Sequence, residues 1–375
     1  MAFRVGYAGR REVSRVELSR RRTGGDPTGL LHDRSDEASR LDTPPAPVAP
    51  TGRGPASAAR GGRTRLNGKA WGNDVDARPA GASVSPFCPV CDATNPRLRY
   101  RLTHFSIFRC ADCAQVYLWP LPSEEEIRRL FANLYTTGDT MLPELRGYYA
   151  YCFDDSLANP LVQTYEHWLA ALERHHRPGT ILDIGCGTGL FLAVARRRGW
   201  VPFGVDESGE ATRHARERFG LDVETGDFAA FAAGGRTFDA ITMWDIIEHA
   251  RRPVELLAAV RGSLAPGGVI GLSTPNERSI LDLVAGTLYR ATGGRVTGPL
   301  EKFYIDQHFL YFSPATLEAG LGRAGLGLAE LGLESTDLRR LALSLPKRLV
   351  LATLFRVGRW MGLDNRLFAV ARATA

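Results

Sequence analysis

The sequence predicts an α/β protein whose main domain is a doubly wound, mostly parallel sheet of seven strands. After Gly179 the chain alternates between short apolar runs, typical of buried strands, and longer segments with apolar residues at helical spacing. A glycine-rich turn follows the first of these strands, and two CxxC pairs precede the whole region. Strands that alternate with helices pair in parallel and are covered by helices on both faces. We therefore assign residues 179–375 to this domain.

The seven strands and the helices between them can be read in order. The predicted strands are ILDIGCG, PFGVDES, DVETGD, FDAITMWDI, VIGLSTPN, GLAELGLES and RLFAVARA. Apolar spacing predicts helices over 190–198, 210–219 and 254–264, and we expect the last to end at a PGG sequence. Ser313 and Pro314, a capping residue and a first-turn proline, predict one further helix.

The charge and hydropathy of the chain exclude several classes of protein. Of 47 Lys and Arg and 41 Asp and Glu, residues 1–80 hold 15 and 9, so the rest of the chain is neutral. A neutral globular part argues against non-specific binding of nucleic acid. No apolar stretch reaches 18 residues, which argues against a transmembrane helix. The first thirty residues lack the apolar core of a secretory signal, so we predict a cytoplasmic protein.

Four of the six cysteines have metal-binding spacing. Cys88 with Cys91, and Cys110 with Cys113, form two CxxC pairs separated by 18 residues. Four thiolates complete a tetrahedral zinc site and leave no position for water, so we predict a structural zinc. A redox dithiol is the alternative for either pair taken alone. The other two cysteines are too few for a disulfide framework.

Three segments are expected before the main domain. Residues 1–82 are rich in Pro, Gly, Ala, Ser and Arg, which predicts a disordered tail, with a nucleic-acid-binding arm as the alternative. Residues 83–135 predict a zinc ribbon followed by a helix that begins at LPSEEE. Residues 136–178, rich in Tyr and Trp, predict a helical connector.

The strongest signal for a binding site is the sequence LDIGCGTGLF. Asp183 ends the first strand, and Gly185, Gly187 and Gly189 follow it into a helix. Glycine permits positive φ and lets a ligand lie against bare backbone. A dinucleotide fingerprint would require another glycine where Leu190 stands. The spacing instead resembles the first motif of class I S-adenosylmethionine-dependent methyltransferases.

The resemblance to this family extends over about residues 178–375. Asp206, at the end of the second strand, matches the acidic residue that accepts both ribose hydroxyls in the family. Asp227 matches the acidic residue near the adenine amino group, and Met243 and Trp244 match the positions that line the adenosyl and sulfonium region. The resemblance implies a Rossmann-like fold and S-adenosylmethionine as cofactor. A degenerate domain without cofactor is the alternative.

The combination of this domain with CxxC pairs resembles class I enzymes that carry an N-terminal zinc ribbon. They include C-methyltransferases of nucleotide-linked deoxysugars and enzymes of glycan or polyketide tailoring. The resemblance implies a small-molecule acceptor, such as a sugar, a lipid-linked glycan or another natural product. The sugar enzymes continue into a further C-terminal domain, whereas this sequence ends at its last predicted strand. An RNA methyltransferase with a zinc-ribbon RNA-binding module, or a non-catalytic binding module, are the alternatives.

Candidate proton acceptors occur in two polar segments of the main domain. Glu248 and His249 lie in WDIIEHARRP, and Tyr304, Asp306 and His308 lie in KFYIDQHFLYFSP. A neutral imidazole can accept the proton of a hydroxyl near neutral pH. We predict His308 as the first candidate for the catalytic base, followed by His249 with Glu248. The alternative for each histidine is a role in packing or helix capping.

Two insertions are expected to shape the acceptor pocket. Residues 277–306 follow the fifth strand at the carboxyl edge of the sheet, where long connections form lids. Residues 338–362 predict an amphipathic helix with Arg348, Arg356 and Arg359 on one face. Packing within the chain or in a homodimer is one interpretation of this helix. Peripheral contact with a membrane surface is the other.

Overall fold

The computed structural model describes residues 86–123, 125–127 and 149–374. The predicted tail, residues 1–82, lies outside this range. So do most of the predicted helix that follows the CxxC pairs and the first part of the predicted connector. All described residues belong to one compact unit, Gly68–Ala375.

Eleven strands form two sheets in the described part of the chain. The smaller sheet, in the order β1-β2-β3-β9, is antiparallel, and its strands are β1 (Pro96–Arg101), β2 (Ser106–Cys110), β3 (Val116–Trp119) and β9 (Leu310–Tyr311). The larger sheet is built from β4 (Thr180–Ile184), β5 (Val201–Asp206), β6 (Asp222–Thr225), β7 (Phe238–Trp244), β8 (Leu264–Pro275), β10 (Leu326–Glu334) and β11 (Arg366–Ala373). Its order is β10-β11-β8-β7-β4-β5-β6.

The larger sheet confirms the predicted doubly wound fold. Strands β4 to β8 pair in parallel, and β11 is antiparallel to both β8 and β10. The strand order turns outward in both directions from β4, so the reversal of order between β4 and β7 opens a crevice at the carboxyl ends of these two strands. In open parallel sheets, ligands bind in such a crevice. The glycine-rich turn follows β4 and therefore lies at its edge.

The helices cover the larger sheet and form the walls above it. They are α1 (Pro160–Glu173), α2 (Leu190–Arg197), α3 (Gly209–Phe219), α4 (Phe228–Ala232), α5 (Pro253–Gly262), α6 (Ile280–Ala291), α7 (Gly298–Glu301), α8 (Pro314–Arg323) and α9 (Leu345–Met361). Short 3-10 turns occupy Tyr149–Phe153, Ile247–His249 and Leu338–Arg340. In the described ranges, none of the helices combines the length and apolar character that crossing a bilayer requires.

The boundary between α5 and β8 differs from the prediction. The helix ends at Gly262 rather than at Leu264, and the PGG sequence lies inside β8. Leu264 already pairs with Phe238 in β7, and the regular register resumes only at Val269 opposite Ala240. The glycines therefore accommodate an irregularity in the strand and do not terminate the helix.

The cysteine unit, which we define as residues 86–123, shares a sheet with the main domain. Strand β3 pairs with β9, where Val116 lies opposite Tyr311 and Tyr117 opposite Leu310. Backbone hydrogen bonds therefore connect the unit to the segment that carries His308. The cysteine unit supplies three of the four strands of the smaller sheet, and the main domain supplies the fourth, β9.

A buried ionic network adds a second connection between the cysteine unit and the segment after β8. Arg99 on β1 donates to Glu277 at 2.6 Å and to Asp282 at 2.5 Å, and Arg109 donates to Glu277 at 2.8 Å. The Tyr304 hydroxyl donates to Asp282 at 2.7 Å. Buried carboxylates are costly unless they are paired, so breaking one partner would destabilise this contact. Tyr304, a sequence candidate for catalysis, is thus a packing residue of this network.

Candidate functional site

The glycine-rich turn after β4 has the backbone geometry expected from its sequence. Gly185, Gly187 and Gly189 have φ values of 73°, 51° and 80°, a region that side chains disfavour. A Cβ atom at Gly185 would overlap the side chain of Ile246. The turn therefore brings bare backbone to the cavity wall at Gly185 and Gly187, both of which line the cavity.

Gly189 has a packing role in addition to the one predicted. It is the N-terminal capping residue of α2. A Cβ atom there would lie 2.7 Å from Leu221 Cδ1 and 2.8 Å from Ala215 Cβ. Glycine is needed at this position for close packing against α3, and its assignment to cofactor binding stays a prediction.

Asp206 organises the turn. Its Oδ2 accepts from the Gly187 amide and its Oδ1 from the Ser208 amide, both at 2.8 Å. Burial raises the pKa of Asp206, and the two amide hydrogen bonds oppose this effect. Each carboxylate oxygen keeps a second lone pair, so the group can still accept hydrogen bonds from a ligand in the cavity.

Asp183 lies beneath the same crevice at the end of β4. It lines the cavity and accepts a hydrogen bond from the Thr242 hydroxyl at 2.6 Å. Burial raises the pKa of Asp183 well above its usual range, and the nearby charge of Asp206 adds to the rise. The crevice therefore contains two acidic groups in different environments. Asp206 accepts hydrogen bonds from two backbone amides, whereas Asp183 is buried and accepts from a hydroxyl.

The remaining predicted cofactor residues divide between the cavity and the core. Asp227 and Trp244 line the cavity, and Asp227 also caps α4 by accepting from the Ala230 amide at 2.8 Å. Met243 is fully buried in the core and does not line the cavity. Neighbouring strand residues face opposite sides of a sheet, so Met243 points away from Trp244. Met243 packs in the core, and its assignment to cofactor binding stays a prediction.

Glu248, His249 and His308 come together although 60 residues separate the first from the last. All three line the cavity, and one ligand atom from each lies within 4.8 Å of the others. The two imidazole rings are edge to face, with centroids 4.9 Å apart. The Phe309 amide donates to the Glu248 carbonyl at 2.8 Å, which holds the two segments side by side.

The hydrogen bonds of the two histidines assign different roles to their nitrogens. His249 Nδ1 lies 2.6 Å from the Gln307 carbonyl oxygen. A carbonyl can only accept, so Nδ1 carries the hydrogen and Nε2 carries the lone pair of the neutral ring. His308 Nδ1 is buried and has no partner among the described residues. Orphaned buried polar atoms at a cavity wall are characteristic of sites that bind a ligand.

Burial favours the neutral form of each group in this trio. It raises the pKa of Glu248 to about 8, with the charge of Asp245 as a second cause. Burial lowers the pKa of His249, and it lowers the pKa of His308 well below its usual value, where His249 and Arg366 add to the effect. At neutral pH the trio therefore consists of a carboxylic acid beside two neutral imidazoles. This charge state suits proton transfer. It does not suit a bound metal cation, because such an ion would require Glu248 to be ionised.

Asp245 and Arg366 form a pair that the sequence analysis did not identify. Arg366 on β11 forms an ion pair with Asp245, which has a φ of 58°, and the Ser273 hydroxyl donates to Asp245 at 3.1 Å. No local pattern marks Arg366, because only the pairing of β11 with β8 brings it to the site.

One cavity of about 1290 Å³ is lined by the glycine turn, by Asp183 and Asp206, by the trio and by the pair of Asp245 and Arg366. It extends from the glycine turn past the trio to the walls formed by both insertions. Apolar side chains of α6 and α9 make up much of these walls, namely Leu281, Val284, Leu288, Val350, Leu351 and Leu354. Single-ligand pockets usually span roughly 300–1,000 Å³, so this cavity has room for a cofactor and an acceptor together.

The four CxxC cysteines converge on one point. The sulfur atoms of Cys88 and Cys113 are 3.5 Å apart, and those of Cys91 and Cys110 are 3.6 Å apart. All four lie within 4.8 Å of one another. Four thiolates at about 2.3 Å from a tetrahedral zinc would be separated by roughly 3.8 Å, so the arrangement fits such an ion.

Comparison with known proteins gives a family match in the main domain. Residues 161–331 match a family model described as "Methyltransferase domain". The matched segment has the Rossmann-like fold of methyltransferase domains.

The curated relatives cover only part of the chain. Ubiquinone biosynthesis O-methyltransferase from Parvibaculum lavamentivorans is 37% identical over 101 residues, which are 26% of this chain and 40% of that protein. The protein of the same name from Paraburkholderia xenovorans is 34% identical over 133 residues, or 33% and 56% of the two chains. The chain thus spans about half the length of these relatives.

The solved structures to which the chain is similar are more distant in sequence. A SAM-dependent methyltransferase from Archaeoglobus fulgidus has a TM-score of 0.41 at 18% identity and covers 60% of this chain and 99% of its own. The magnesium protoporphyrin IX methyltransferase of Synechocystis with bound SAH has a TM-score of 0.43 at 18% identity, with coverage of 68% and 100%.

Proposed function

We propose that the protein is an S-adenosylmethionine-dependent methyltransferase that acts on a hydroxyl group of a small molecule. The observation that carries this proposal is the continuity of one cavity from the glycine turn and Asp206 to the neutral trio of Glu248, His249 and His308. The first end offers bare backbone and carboxylate acceptors for a nucleoside. The second offers groups that can accept a proton.

The residues of the turn fit the cofactor. Gly185 and Gly187 would lie against it, and Asp206 would accept hydrogen bonds from the ribose hydroxyls. Trp244 and Asp227 would line the adenosyl portion. When bound, S-adenosylmethionine supplies an activated methyl group on a sulfonium. The chain then has to orient the acceptor, exclude water and remove a proton.

We assign proton removal to the imidazole pair. His249 is oriented by the Gln307 carbonyl, so its Nε2 would accept the proton of the acceptor hydroxyl. His308, the first candidate from the sequence, would sit beside it and hold the acceptor. Its more strongly lowered pKa makes it the weaker base of the two. The protonated Glu248 would donate a hydrogen bond to the acceptor.

The lining of the cavity indicates the chemical class of the acceptor. Apolar walls from α6 and α9 favour a molecule with an apolar body and a hydroxyl at its reactive end. The curated relatives are O-methyltransferases by name, which supports oxygen as the acceptor atom. A natural product or a lipid-linked sugar would satisfy both features, whereas a free sugar would leave the apolar walls uncovered.

A panel of acceptors tests this function. Production of S-adenosylhomocysteine would be measured with a prenylated phenol, a simple catechol, a nucleotide-linked sugar and a structured RNA. We expect turnover with an apolar hydroxylated acceptor and its loss after His249→Gln. Turnover with RNA alone, or with no acceptor class while the cofactor binds, would contradict the proposal.

The four cysteines are proposed to hold one structural zinc. Their sulfur spacing supports this assignment, since it matches a closed tetrahedral shell. Elemental analysis should find one zinc per chain, and Cys110→Ser should release it. A protein that is fully folded and free of metal would rule out the assignment.

A further inference from the structure

The outer face of α9 exposes large apolar side chains, with Thr353 and Arg356 between them. Leu349 and Trp360 are 59% and 87% exposed, and they lie on the side of the helix opposite the buried Phe355 and Gly358. Trp360 is the most exposed large apolar residue of the described chain. Single exposed apolar residues are common, but a continuous face of them marks an interaction surface.

Helix α6 extends this face. Leu283, Val284 and Leu288 are each more than 40% exposed. The two helices are in close contact, because a Cβ atom at Gly358 of α9 would lie 2.8 Å from Ile280 at the start of α6. We call the combined surface the apolar rim, defined by Leu283, Val284, Leu288, Leu345, Leu349, Val350, Val357, Trp360 and Met361.

The charge around the apolar rim is mainly positive. Residues 338–363 contain six Arg and Lys, two of which form ion pairs with acidic residues just outside this range. Residues 283–300 contain two Arg and no acidic residue. Arg348 and Arg356 lie on α9 itself. A surface with an apolar centre and cations at its margin complements an anionic lipid bilayer.

The apolar rim is continuous with the cavity. Val284, Leu288 and Val350 are exposed and also line the cavity wall. A molecule held in a bilayer against the rim would therefore meet the mouth of the cavity without crossing polar surface.

We propose that the apolar rim is a docking surface for an anionic membrane. A second copy of the chain fits less well, because a symmetric contact would bring the excess cations of both copies against one another. Residues 1–80 carry excess basic charge, so they do not complement the positive charge of the rim either. The proposal does not depend on methyl transfer, and its test needs neither cofactor nor acceptor.

Vesicle sedimentation with the full chain tests this surface. Binding would be compared for phosphatidylcholine vesicles and for phosphatidylcholine mixed with phosphatidylglycerol. We expect binding to the mixed vesicles, weakened by salt, and at least about tenfold weaker binding for the double variant Leu349→Glu, Trp360→Glu. The matched control is Val201→Glu, which changes a similarly exposed apolar residue at the amino end of β5.

Three results would overturn the proposal. One is the absence of wild-type binding to the mixed vesicles. Another is binding that the double variant retains in full, which would place the contact in the basic N-terminal residues. The third is a wild-type dimer in light scattering that the double variant dissociates. If the double variant does not fold, Arg348→Gln with Arg356→Gln should weaken binding while preserving the circular dichroism spectrum.

Discussion

The amide of Leu118 in the cysteine unit donates a hydrogen bond to the carbonyl of Phe309 at 2.9 Å, and Phe309 follows His308 directly. The amide of Phe309 in turn donates to the Glu248 carbonyl. A short backbone path therefore runs from the cysteine unit to the trio at the cavity wall. Because these hydrogen bonds join the cysteine unit to the segments that carry the trio, the unit helps to position the proposed base.

Loss of the proposed zinc should consequently affect turnover more than cofactor binding. Cys110→Ser should unfold the cysteine unit, because metal affinity supplies most of its folding free energy. We expect turnover to fall by at least about tenfold, while the affinity for S-adenosylmethionine changes little. Zinc content, turnover and calorimetric affinity would be measured together. Asp112→Asn, an exposed change in the same knuckle, is the control, and unaltered turnover in a zinc-free Cys110→Ser protein would count against the path.

The sequence predicted the seven-stranded sheet because each strand and helix has a local signature. It also brought Gly185, Gly187 and Asp206 to one edge, since residues at the carboxyl ends of adjacent parallel strands must meet. The motif match did not predict the burial of Met243 or the packing of Gly189 against α3, because a matched position does not reveal which way a residue faces.

The parts of the site that could not be predicted depend on long-range pairing. Arg366 reaches Asp245 only through the antiparallel β11, and the cysteine unit reaches His308 only through the pairing of β3 with β9. Neither contact has a local sequence pattern.

The imidazole pair predicts a pH profile for turnover. Burial lowers the pKa of both histidines, so both remain neutral at pH 7 and the proposed base is active there. Turnover should fall as the pH drops through the lowered pKa, below about 6.5, and should fall again as the pH rises through about 8, where Glu248 loses the proton that it donates to the acceptor. A profile that rises with an apparent pKa well above 7 would exclude a buried imidazole as the base.

Substitution of each histidine should separate rate from affinity. We expect His249→Gln to lower turnover by about a hundredfold to ten-thousandfold, the usual scale of general base catalysis, with cofactor affinity nearly unchanged. His308→Gln should have the smaller effect on turnover and raise the KM for the acceptor. If His308→Gln proves the more damaging and leaves the KM unchanged, His308 is the base, as the sequence alone indicated.

Glu248 should make stability depend on pH in a particular direction. Its pKa is about 8 in the folded protein against an ordinary value of 4.5, so folding binds its proton more tightly. The resulting stabilisation is complete below about pH 4.5 and is lost as the pH rises to about 8, by up to about 1.4 kcal/mol per pH unit. The free energy of unfolding, measured with urea between pH 5 and 8, should decline less steeply for Glu248→Gln than for the wild-type protein. Parallel curves for the two proteins would contradict the assignment.

Binding of S-adenosylmethionine by titration calorimetry tests the central claim most directly. We expect binding to the wild-type protein and a loss of about 1.5–3 kcal/mol, or roughly tenfold to a hundredfold in affinity, after Asp206→Ala. Asp222→Ala, which removes an exposed carboxylate at the start of β6, should bind as the wild type does. No binding to the wild type, or equal affinity in the Asp206→Ala protein, would contradict the account.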